Sequence, residues 1–401
     1  MTTLGQLARD GVLEFSDGYR TRRDQHADAG FRILRAGDVR DGRIYPDGPD
    51  FVGQGYAPAI GAKAARAGDV VLTTKGTVGR TGRVTDHASQ VVYSPQLCFF
   101  RSQQPGVLDM RFFYHWLSSP QFIDQAGYLK SASDMAPYIS LKDLASTRIQ
   151  LPPLTTQLAI AEVLGALDDK IAANARVAAA AVNLADSEYQ FARRQSSLVE
   201  STFGAVCSAS GGGTPSTKVP EFWDGDIPWV TPTDVTALSS PYIDRTARQI
   251  TEKGLTRCSS ALYPVDSILM TSRATIGAFA LAKTPVAVNQ GFIVAEARDR
   301  EAQLWLFHEM RSRVDDFLAH ANGATFLELN KARFRGIEVL WPDDPGAFRQ
   351  FSRRVAHLHD RAYAATVESR ALANLRDRLL PHLMSGRLSV RGAEEAVEEV
   401  L

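Results

Sequence analysis

The feature that most constrains this chain is a phrase of twelve residues that occurs twice. The chain reads GDVVLTTKGTVG over Gly68–Gly79 and DSILMTSRATIG over Asp266–Gly277. In both copies an apolar run leads through hydroxyl side chains and one basic residue, Lys75 or Arg273, to a glycine. Because solenoid repeats are much shorter than this separation, the phrase indicates two whole domains with one fold.

Three further anchors occur in the same order in both halves, with separations of 196, 194 and 188 residues against 198 for the phrase. The pairs are Asp38 with Asp234, Gln96 with Gln290, and Leu141 with Leu329 followed by Ile149 with Ile337. A constant order with small drift is typical of an ancient internal duplication. We therefore interpret each half as one copy of about 190 residues.

Charge and cysteine content exclude several classes of protein. The 401 residues carry 45 basic and 45 acidic side chains, so any basic surface must be local. Cys98, Cys207 and Cys258 lie far apart, which argues against a zinc site and favours a reducing cytoplasm. We also expect neither a signal peptide nor a membrane span, since no basic leader or long apolar run occurs.

Each half ends in a segment of strong helix-forming composition. For the first helix, Pro153 and the hydroxyl of Thr155 or Thr156 provide the start signal. Apolar residues recur at a three-four spacing in both segments, which predicts two long helices packed antiparallel against each other. The positions predicted to be buried between them are Leu164, Leu167, Ile171, Val355, Leu358, Leu372 and Leu379.

The rest of each half predicts mixed α/β structure. The repeated phrases begin as β-strands, and amphipathic helices are predicted over Met110–Gly127 and Glu301–Gly323. We predict an α/β fold with two pseudo-symmetric globular domains separated by an antiparallel coiled-coil spacer. The predicted parts are residues 1–153 and 196–342 for the two domains, 154–195 for the first helix, and 343–401 for the second helix and tail.

Catalytic motifs are not found in the sequence. It has no phosphate-binding loop, dinucleotide fingerprint, zinc-protease motif or nucleophile elbow. The LPPL stretch superficially resembles a methyltransferase loop, but Leu151 and Leu154 replace its polar and aromatic residues. His357 and His359 are interpreted as solvated or packed helical residues instead of metal ligands. We expect no metal and no catalysis by this chain.

Two kinds of segment could contact phosphates or bases. The repeated phrase delivers hydroxyls and a cation to a turn, as phosphate oxygens require, although a core strand with a polar turn explains it too. An arginine-rich loop in the first half, SDGYRTRRDQ, corresponds to SGGGTPSTK in the second. Arginine can pair with guanine edges, while the alternative is a flexible, solvated loop.

Several segments resemble the specificity subunits of Type I restriction-modification systems. They are Gly211–Val235, Asp266–Phe292 and Leu151–Ile171, and the resemblance covers nearly the whole chain. It implies that each half is a target-recognition domain that reads one half of a bipartite DNA site. It also implies that the helices form a spacer that sets the gap between the half-sites and docks partner subunits.

The resemblance further implies the partners of the chain. These are double-stranded DNA, two adenine-methyltransferase subunits and restriction-translocase subunits, with S-adenosylmethionine and ATP held only by the partners. One departure is that the second helix follows LWPDDPGAF instead of a copy of LPPLTTQLAI, so its start resembles the family's methyltransferase-docking segment less than the start of the first helix does.

On this basis we predict the following DNA-contacting residues: Tyr19, Arg20, Arg22, Arg23, Lys75, Thr77 and Arg80 in the first half, and Thr214, Ser216, Lys218, Arg273 and Thr275 in the second. Two alternatives stay open. One is a non-catalytic scaffold whose halves bind protein or sugar, and the other is a self-sufficient nuclease or methyltransferase.

Overall fold

A computed structural model describes residues 1–40, 42–85, 90–130, 138–323 and 327–398. The chain forms two compact units. The first comprises Met1–Lys170 with Ala371–Leu401, and the second comprises Ile171–Arg370. Each unit therefore contains part of both long helices. The division predicted from the sequence instead treats the two helices as segments separate from the globular domains.

The first unit is built on short strands and helices. Its strands are β1 (Thr2–Thr3), β2 (Leu13–Asp17), β3 (His26–Ala27), β4 (Phe31–Leu34), β5 (Val39–Arg40), β6 (Gly42–Ile44), β7 (Phe51–Val52), β8 (Val70–Thr73), β9 (Thr81–Arg83), β10 (Val91–Tyr93), β11 (Leu97–Ser102) and β12 (Arg148–Ile149). Its short helices are α1 (Leu4–Arg9), α2 (Ala57–Ile60), α3 (Met110–Leu117), α4 (Pro120–Lys130) and α5 (Leu141–Ser146), followed by the long α6 (Leu154–Gln195).

The second unit repeats this plan. Its strands are β13 (Leu198–Thr202), β14 (Cys207–Ser210), β15 (Trp223–Val230), β16 (Tyr242–Ile243), β17 (Gln249–Ile250), β18 (Ile268–Thr271), β19 (Phe279–Ala282), β20 (Ala287–Val288), β21 (Phe292–Ala297) and β22 (Glu338–Pro342). Its short helices are α7 (Phe203–Val206), α8 (Pro232–Thr236), α9 (Glu252–Thr256), α10 (Gln303–Arg311), α11 (Val314–Ala319) and α12 (Lys331–Gly336). The long α13 (Gly346–Met384) follows, and α14 (Val390–Glu398) belongs to the first unit.

The two main sheets share one strand order. It is β2-β11-β8-β9-β6-β5 in the first unit and β14-β21-β18-β19-β16 in the second. In both, the strand that follows the repeated turn, β9 or β19, pairs in parallel with β6 or β16 and antiparallel with β8 or β18. A smaller sheet in each unit contains an equivalent parallel pair, β4 with β10 and β15 with β20. The predicted mixed α/β fold and its pseudo-symmetry are therefore confirmed.

The repeated phrase encodes one strand followed by one specific turn. In the first copy the Thr73 carbonyl accepts from the Gly79 amide at 2.9 Å, and Thr73 Oγ1 accepts from the Arg80 amide at 2.8 Å. Thr271 makes the same two bonds in the second copy, both at 3.0 Å. Gly79 and Gly277 have φ of 100° and 88°, where a side chain would be strained. The hydroxyl and the glycine are thus required by the turn itself.

One of the sequence alignments is shifted by two residues. The Ile139 amide donates to the Thr74 carbonyl, and the Leu329 amide donates to the Ser272 carbonyl, both at 3.0 Å. Leu329 is therefore equivalent to Ile139 and not to Leu141. Apolar residues recur every few positions near a helix start, so residue type alone did not fix the register.

The paired glutamines are also offset, by one residue. The Gln96 carbonyl accepts from the Thr74 amide at 2.8 Å, whereas the equivalent bond from Ser272 goes to Gly291 at 2.8 Å. Gln290 therefore precedes the position equivalent to Gln96. The loops before β11 and β21 differ in how they approach the turn, which similarity of residue type does not reveal.

Each of the two predicted amphipathic helices is broken in two. In the first unit α3 ends before Ser118 and Ser119, and α4 begins at Pro120. The Ser119 hydroxyl donates to the Trp116 carbonyl at 2.6 Å, and proline favours the first turn of a new helix. In the second unit α10 and α11 are separated in the same way. Both α3 and α10 pack their apolar faces into the core.

Within the second unit the two long helices run antiparallel. Arg354 of α13 pairs with Glu188 of α6 at 3.2 Å, and Glu368 accepts from Asn174 at 2.9 Å. Residue numbers thus rise along one helix as they fall along the other. Val355 lies in an apolar cluster that includes Tyr189 of α6.

Within the first unit α6 and α13 are joined by an ion pair of 2.6 Å between Asp168 and Arg376. The positions predicted to pack in the spacer fall into two groups. The buried residues are Leu164, Leu167, Val355, Leu372 and Leu379, and the half-buried residues are Ile171 and Leu358.

The two long helices begin differently. The buried Gln157 anchors the start of α6, because its side chain donates to the Val107 and Pro152 carbonyls at 3.0 and 2.9 Å and accepts from the Asp109 amide at 3.1 Å. Neither Thr155 nor Thr156 provides the anchor that the sequence suggested. At the start of α13, Asp344 Oδ1 instead accepts from the amide of the first helical residue at 2.8 Å.

Candidate nucleic-acid interface

In the first unit, the arginine-rich loop and the repeated turn lie along one edge of the main sheet. The Tyr19 amide donates to the Tyr93 carbonyl at 2.7 Å, and Gly18 lies so close that a Cβ there would be 2.1 Å from the Ser94 carbonyl oxygen. The amides of Thr74 and Lys75 donate to the next loop at 2.8 and 3.3 Å. The fold therefore places the two predicted segments on either side of one short loop.

This edge carries a group of unpaired cations. The side chains of Arg20, Arg22, Arg23, Lys75 and Arg80 are exposed, and none forms an ion pair with another described residue. Exposed cations that form no ion pair with a described residue are the kind of local positive charge that a neutral chain needs to bind phosphates.

The two uncharged candidates of this edge differ in exposure. Tyr19 is half-buried against the apolar cluster that includes Ile33 and Val52, so only part of its side chain faces solvent. Thr77 is exposed, and its carbonyl accepts from Thr73 Oγ1 at 2.5 Å. The Thr77 hydroxyl is therefore available at the tip of the turn.

In the second unit, the glycine-rich loop occupies the equivalent place. A Cβ on Gly212 would lie 1.9 Å from the Val288 carbonyl oxygen, and the Gly213 amide donates to that carbonyl at 3.1 Å. Ser216 and Lys218 are exposed. Only glycine allows the loop to cross the strand this closely.

Two of the second unit's candidates, Arg273 and Thr214, are less available than the sequence suggested, whereas Thr275 matches its counterpart. Arg273 pairs with Glu328 at 2.8 Å, and these two residues also form a β-bridge. The Thr214 hydroxyl donates to Gln290 at 2.7 Å. Thr275 is exposed at the tip of the turn, as Thr77 is. The second turn therefore presents a cation that is partly neutralised.

The structure adds a basic residue that the sequence did not single out. Lys331, at the start of α12, is exposed and lies beside the glycine-rich loop: its Nζ is 3.1 Å from where a Cβ on Gly211 would be. Asn330 caps α12, which fixes the direction of its first turn. A sequence signal for the cap exists, but nothing in the sequence places Lys331 against a loop about 120 residues earlier.

In the second unit a series of polar side chains joins α6, α10, α13 and β16. Asp186 Oδ1 contacts His308 Nδ1 at 2.6 Å, His308 Nε2 contacts His359 Nε2 at 3.0 Å, and His359 Nδ1 contacts the Tyr242 hydroxyl at 2.9 Å. Burial lowers the pKa of His308, and burial lowers that of His359 to about 3. Of the two expected outcomes for His359, packing is therefore the correct one.

The carboxylate of Asp186, at one end of this series of hydrogen bonds, is held as an anion. Burial raises the pKa of Asp186, but hydrogen bonds from His308 and Arg311 outweigh it and lower the pKa to about 2. A cavity of about 310 Å³ adjoins these three residues and Tyr189. Its walls join α6 to α10 within one unit.

The first unit has a simpler version of this arrangement. His115 of α3 is buried, and its Nδ1 lies 4.0 Å from Asp168 of α6. Burial lowers the pKa of His115 to about 3. His115 and His308 occupy corresponding places in α3 and α10, so both units place a neutral histidine between the sheet and the long helices.

Two negative observations concern the described part of the chain only. No group of three or more His, Cys, Asp and Glu side chains there is arranged to hold a metal ion. None of its helices combines the length and apolar character needed to cross a bilayer.

Comparison with known families matches this duplicated architecture. The family model for the Type I restriction modification DNA specificity domain matches twice, over residues 9–180 and 196–345. The chain belongs to this family. The two matches coincide with the two units of equal strand order, so each unit contains one specificity domain.

Individual relatives are named as specificity subunits of Type I restriction enzymes. The chain is 40% identical over 139 residues to the Type I restriction enzyme MjaIX specificity subunit of Methanocaldococcus jannaschii, covering 34% of this chain and 32% of that protein. It is 29% identical over 199 residues to the EcoR124I/EcoR124II specificity subunit of Escherichia coli, covering 46% of this chain and 48% of that protein. The matches thus span only about a third to a half of these curated relatives.

The fold agrees with a solved structure of the same family. The crystal structure of the Type I restriction-modification S subunit from M. genitalium matches with a TM-score of 0.57 and 16% identity, covering 93% of this chain and 94% of that one. At this identity the likeness establishes the fold of the specificity domains.

Proposed function

We propose that this chain is the DNA-sequence-recognition subunit of a Type I restriction-modification complex. The observation that carries the proposal is the duplicated sheet edge, where each specificity domain presents hydroxyls and basic side chains on a turn and a neighbouring loop. The two edges share a backbone but differ in their side chains. Each domain would therefore read a different half of a bipartite DNA site.

Within each edge we assign two roles. The turn residues Lys75, Thr77 and Arg80, with Thr275 in the second unit, would bind phosphate oxygens and so fix the position of the duplex. Arginines of the first loop would read bases, because a guanidinium pairs with O6 and N7 of guanine in the major groove. In the second loop, hydroxyls and Lys218 would supply the contacts.

The long helices would act as the spacer and as the docking surface for adenine-methyltransferase subunits. The chemistry would be carried by those partners and by restriction-translocase subunits, with S-adenosylmethionine and ATP bound there. This assignment leaves the chain itself non-catalytic. The different starts of α6 and α13 predict that the two methyltransferase subunits contact unequal surfaces.

The test is to express the chain with its modification subunits and map methylated adenines in host DNA with and without its gene. We expect one bipartite motif to be methylated only when the chain is present. Gel shifts of the purified complex with fragments that contain this motif should show binding that weakens steeply with salt. Methylation of the same motif without the chain, or no binding by the complex, would overturn the proposal.

A further inference from the structure

Three aromatic side chains hold the backbone of the glycine-rich loop in the second unit. The indole Nε1 of Trp229 donates to the Gly213 carbonyl at 3.1 Å, and that of Trp223 donates to the Ser216 carbonyl at 3.2 Å. The Tyr263 hydroxyl donates to the Gly211 carbonyl. We call these three residues the aromatic clamp. They bind three carbonyls within six successive loop residues.

The clamp is itself rigid. Trp223 and Trp229 lie at the two ends of β15 and are 7% and 5% exposed, with their rings edge to face at a centroid distance of 5.1 Å. The Arg248 guanidinium covers Trp223 at 3.4 Å from the ring centroid and lies 6.0 Å from that of Trp229. Ile250 completes this small core. The two indole donors belong to this packed cluster and Tyr263 belongs to a neighbouring one, so all three donors are held in place by the core.

The clamp therefore holds the backbone of the loop on its inner side, while side chains on the other side of the loop face solvent. The peptide groups around Gly213 are held on both sides, since its amide donates to Val288 and its carbonyl accepts from Trp229. Thr214, Ser216 and Lys218 are exposed. With the carbonyls turned toward the clamp, the exposed side of the loop carries hydroxyls and a cation, which suits phosphate or base contacts.

We propose that Trp223, Trp229 and Tyr263 are positioning residues that hold this loop in its DNA-binding conformation and so determine discrimination at the second half-site. The proposal rests on the proposed function. A loop that is already ordered loses less conformational entropy on binding, so a hydroxyl-bearing loop without arginines can still discriminate. Among the described residues the first unit has no such clamp: its single tryptophan is Trp116, whose buried indole nitrogen donates to none of them.

The first experiment tests the clamp without DNA. Hydrogen exchange of residues 211–219 is measured in the full chain for Trp223→Phe, Trp229→Phe and Tyr263→Phe. Each variant removes one donor, and we expect exchange in the loop to accelerate about fivefold. Trp305→Phe is the matched control, because this buried indole nitrogen of the same unit bonds to no described residue. Loop exchange as slow in the clamp variants as in the control would overturn the proposal.

The second experiment tests the consequence for recognition. The full chain, assembled with its modification subunits, is titrated with duplexes that carry a substitution in the first or the second half-site. We expect the clamp variants to lose about fivefold or more of their discrimination at the second half-site and none at the first. Trp305→Phe should change neither. Equal loss at both half-sites, or unchanged discrimination, would contradict a positioning role.

Two features keep these outcomes distinct. Tyr263→Phe removes a single hydroxyl and preserves the ring, so it decides the question if the indole variants fail to fold. Absence of DNA binding by the wild-type complex would contradict the proposed function, whereas the exchange measurement on the free chain decides whether the clamp orders the loop.

Discussion

The loops after β2 and after β14 occupy equivalent places in two sheets of the same strand order, but they are held in different ways. In the first, Lys63 Nζ donates to the Gly18 carbonyl at 2.9 Å and to Asp17 at 3.1 Å. The arginines of this loop, Arg20, Arg22 and Arg23, are exposed. In the second, the aromatic clamp binds the backbone itself. The comparison indicates that duplication preserved the sheet edge, while the side chains that hold the loop changed from one lysine to three aromatic residues.

The interiors of the two units differ as well. In the first, the buried Asp69 pairs with Arg101 at 2.7 Å and accepts from the Tyr93 hydroxyl at 2.6 Å. At the equivalent place in the second, the Ser267 hydroxyl donates to Glu296 at 3.3 Å. One position thus supports an ion pair in one copy and a weaker hydrogen bond in the other.

The largest effect is expected when the arginine loop loses its charge. Changing Arg20, Arg22 and Arg23 together to Ala should cost about 1–3 kcal/mol of DNA-binding free energy for each arginine that contacts a base, and relax the first half-site only. Titration of the assembled complex with half-site variants measures this. Arg66→Ala, an exposed arginine at the opposite end of β8, is the control. An unchanged methylated sequence at unchanged affinity would show that the first-loop assignment is wrong.

The next effect concerns the buried ion pair. Asp69→Ala removes the closer of the two carboxylates beside the buried Arg101, leaving Glu14 at 3.6 Å, and should lower the free energy of unfolding by about 3 kcal/mol. Ser267→Ala, the matched change in the second unit, should cost about 1 kcal/mol. Urea unfolding of the full chain followed by fluorescence and circular dichroism provides both values. Similar losses for the two variants would mean that the copies are energetically alike here.

The buried histidines predict a difference in pH dependence. The unfolded chain takes up a proton at each histidine near pH 6.5, but burial lowers the pKa of His115 and of His359 to about 3 and also lowers that of His308. The unfolded state therefore binds more protons, and stability falls as pH decreases below about 6.5, by up to about 1.4 kcal/mol per pH unit for each histidine.

Substitution should flatten this dependence in proportion to the histidines removed. The change in urea midpoint between pH 7 and pH 5 should be smaller in His115→Gln, and smaller again in a His308→Gln, His359→Gln double variant. His26→Gln, at an exposed site, is the control and should behave as the wild type does. If the double variant keeps the wild-type pH dependence, protonation of His308 and His359 on unfolding is not the cause of that dependence.

The smallest effect separates the two turns. Glu328→Gln should release the charge of Arg273 and steepen the plot of log affinity against log salt by about 0.9, the contribution of one further phosphate contact. Lys75→Ala should make the same plot shallower by about 0.9. Affinity measured over a salt series tests both. If Glu328→Gln leaves the slope unchanged, Arg273 does not face DNA.

The DNA contacts assigned above stay predictions. The structure shows which spatial relations between these segments could be predicted from the sequence. The two glutamines, Gln96 and Gln290, were assigned to one position because their types match, yet their backbones are offset by one residue. Lys331 and the aromatic clamp were missed, because their relation to Gly211 exists only after the chain has folded. Local residue type thus predicts a turn well and a neighbour across the sheet poorly.

The sequence by itself determined the duplication, the mixed α/β class and the two long helices. These depend on local preferences and periodicity: the apolar run, the hydroxyl and the glycine of Gly68–Gly79 define a strand and its turn wherever they are placed. Only the tertiary structure decided which of the predicted cations form an ion pair with another described residue. Whether Arg273 meets Glu328, or an indole meets a loop carbonyl, depends on strand pairing between distant segments, and no local preference encodes such distances.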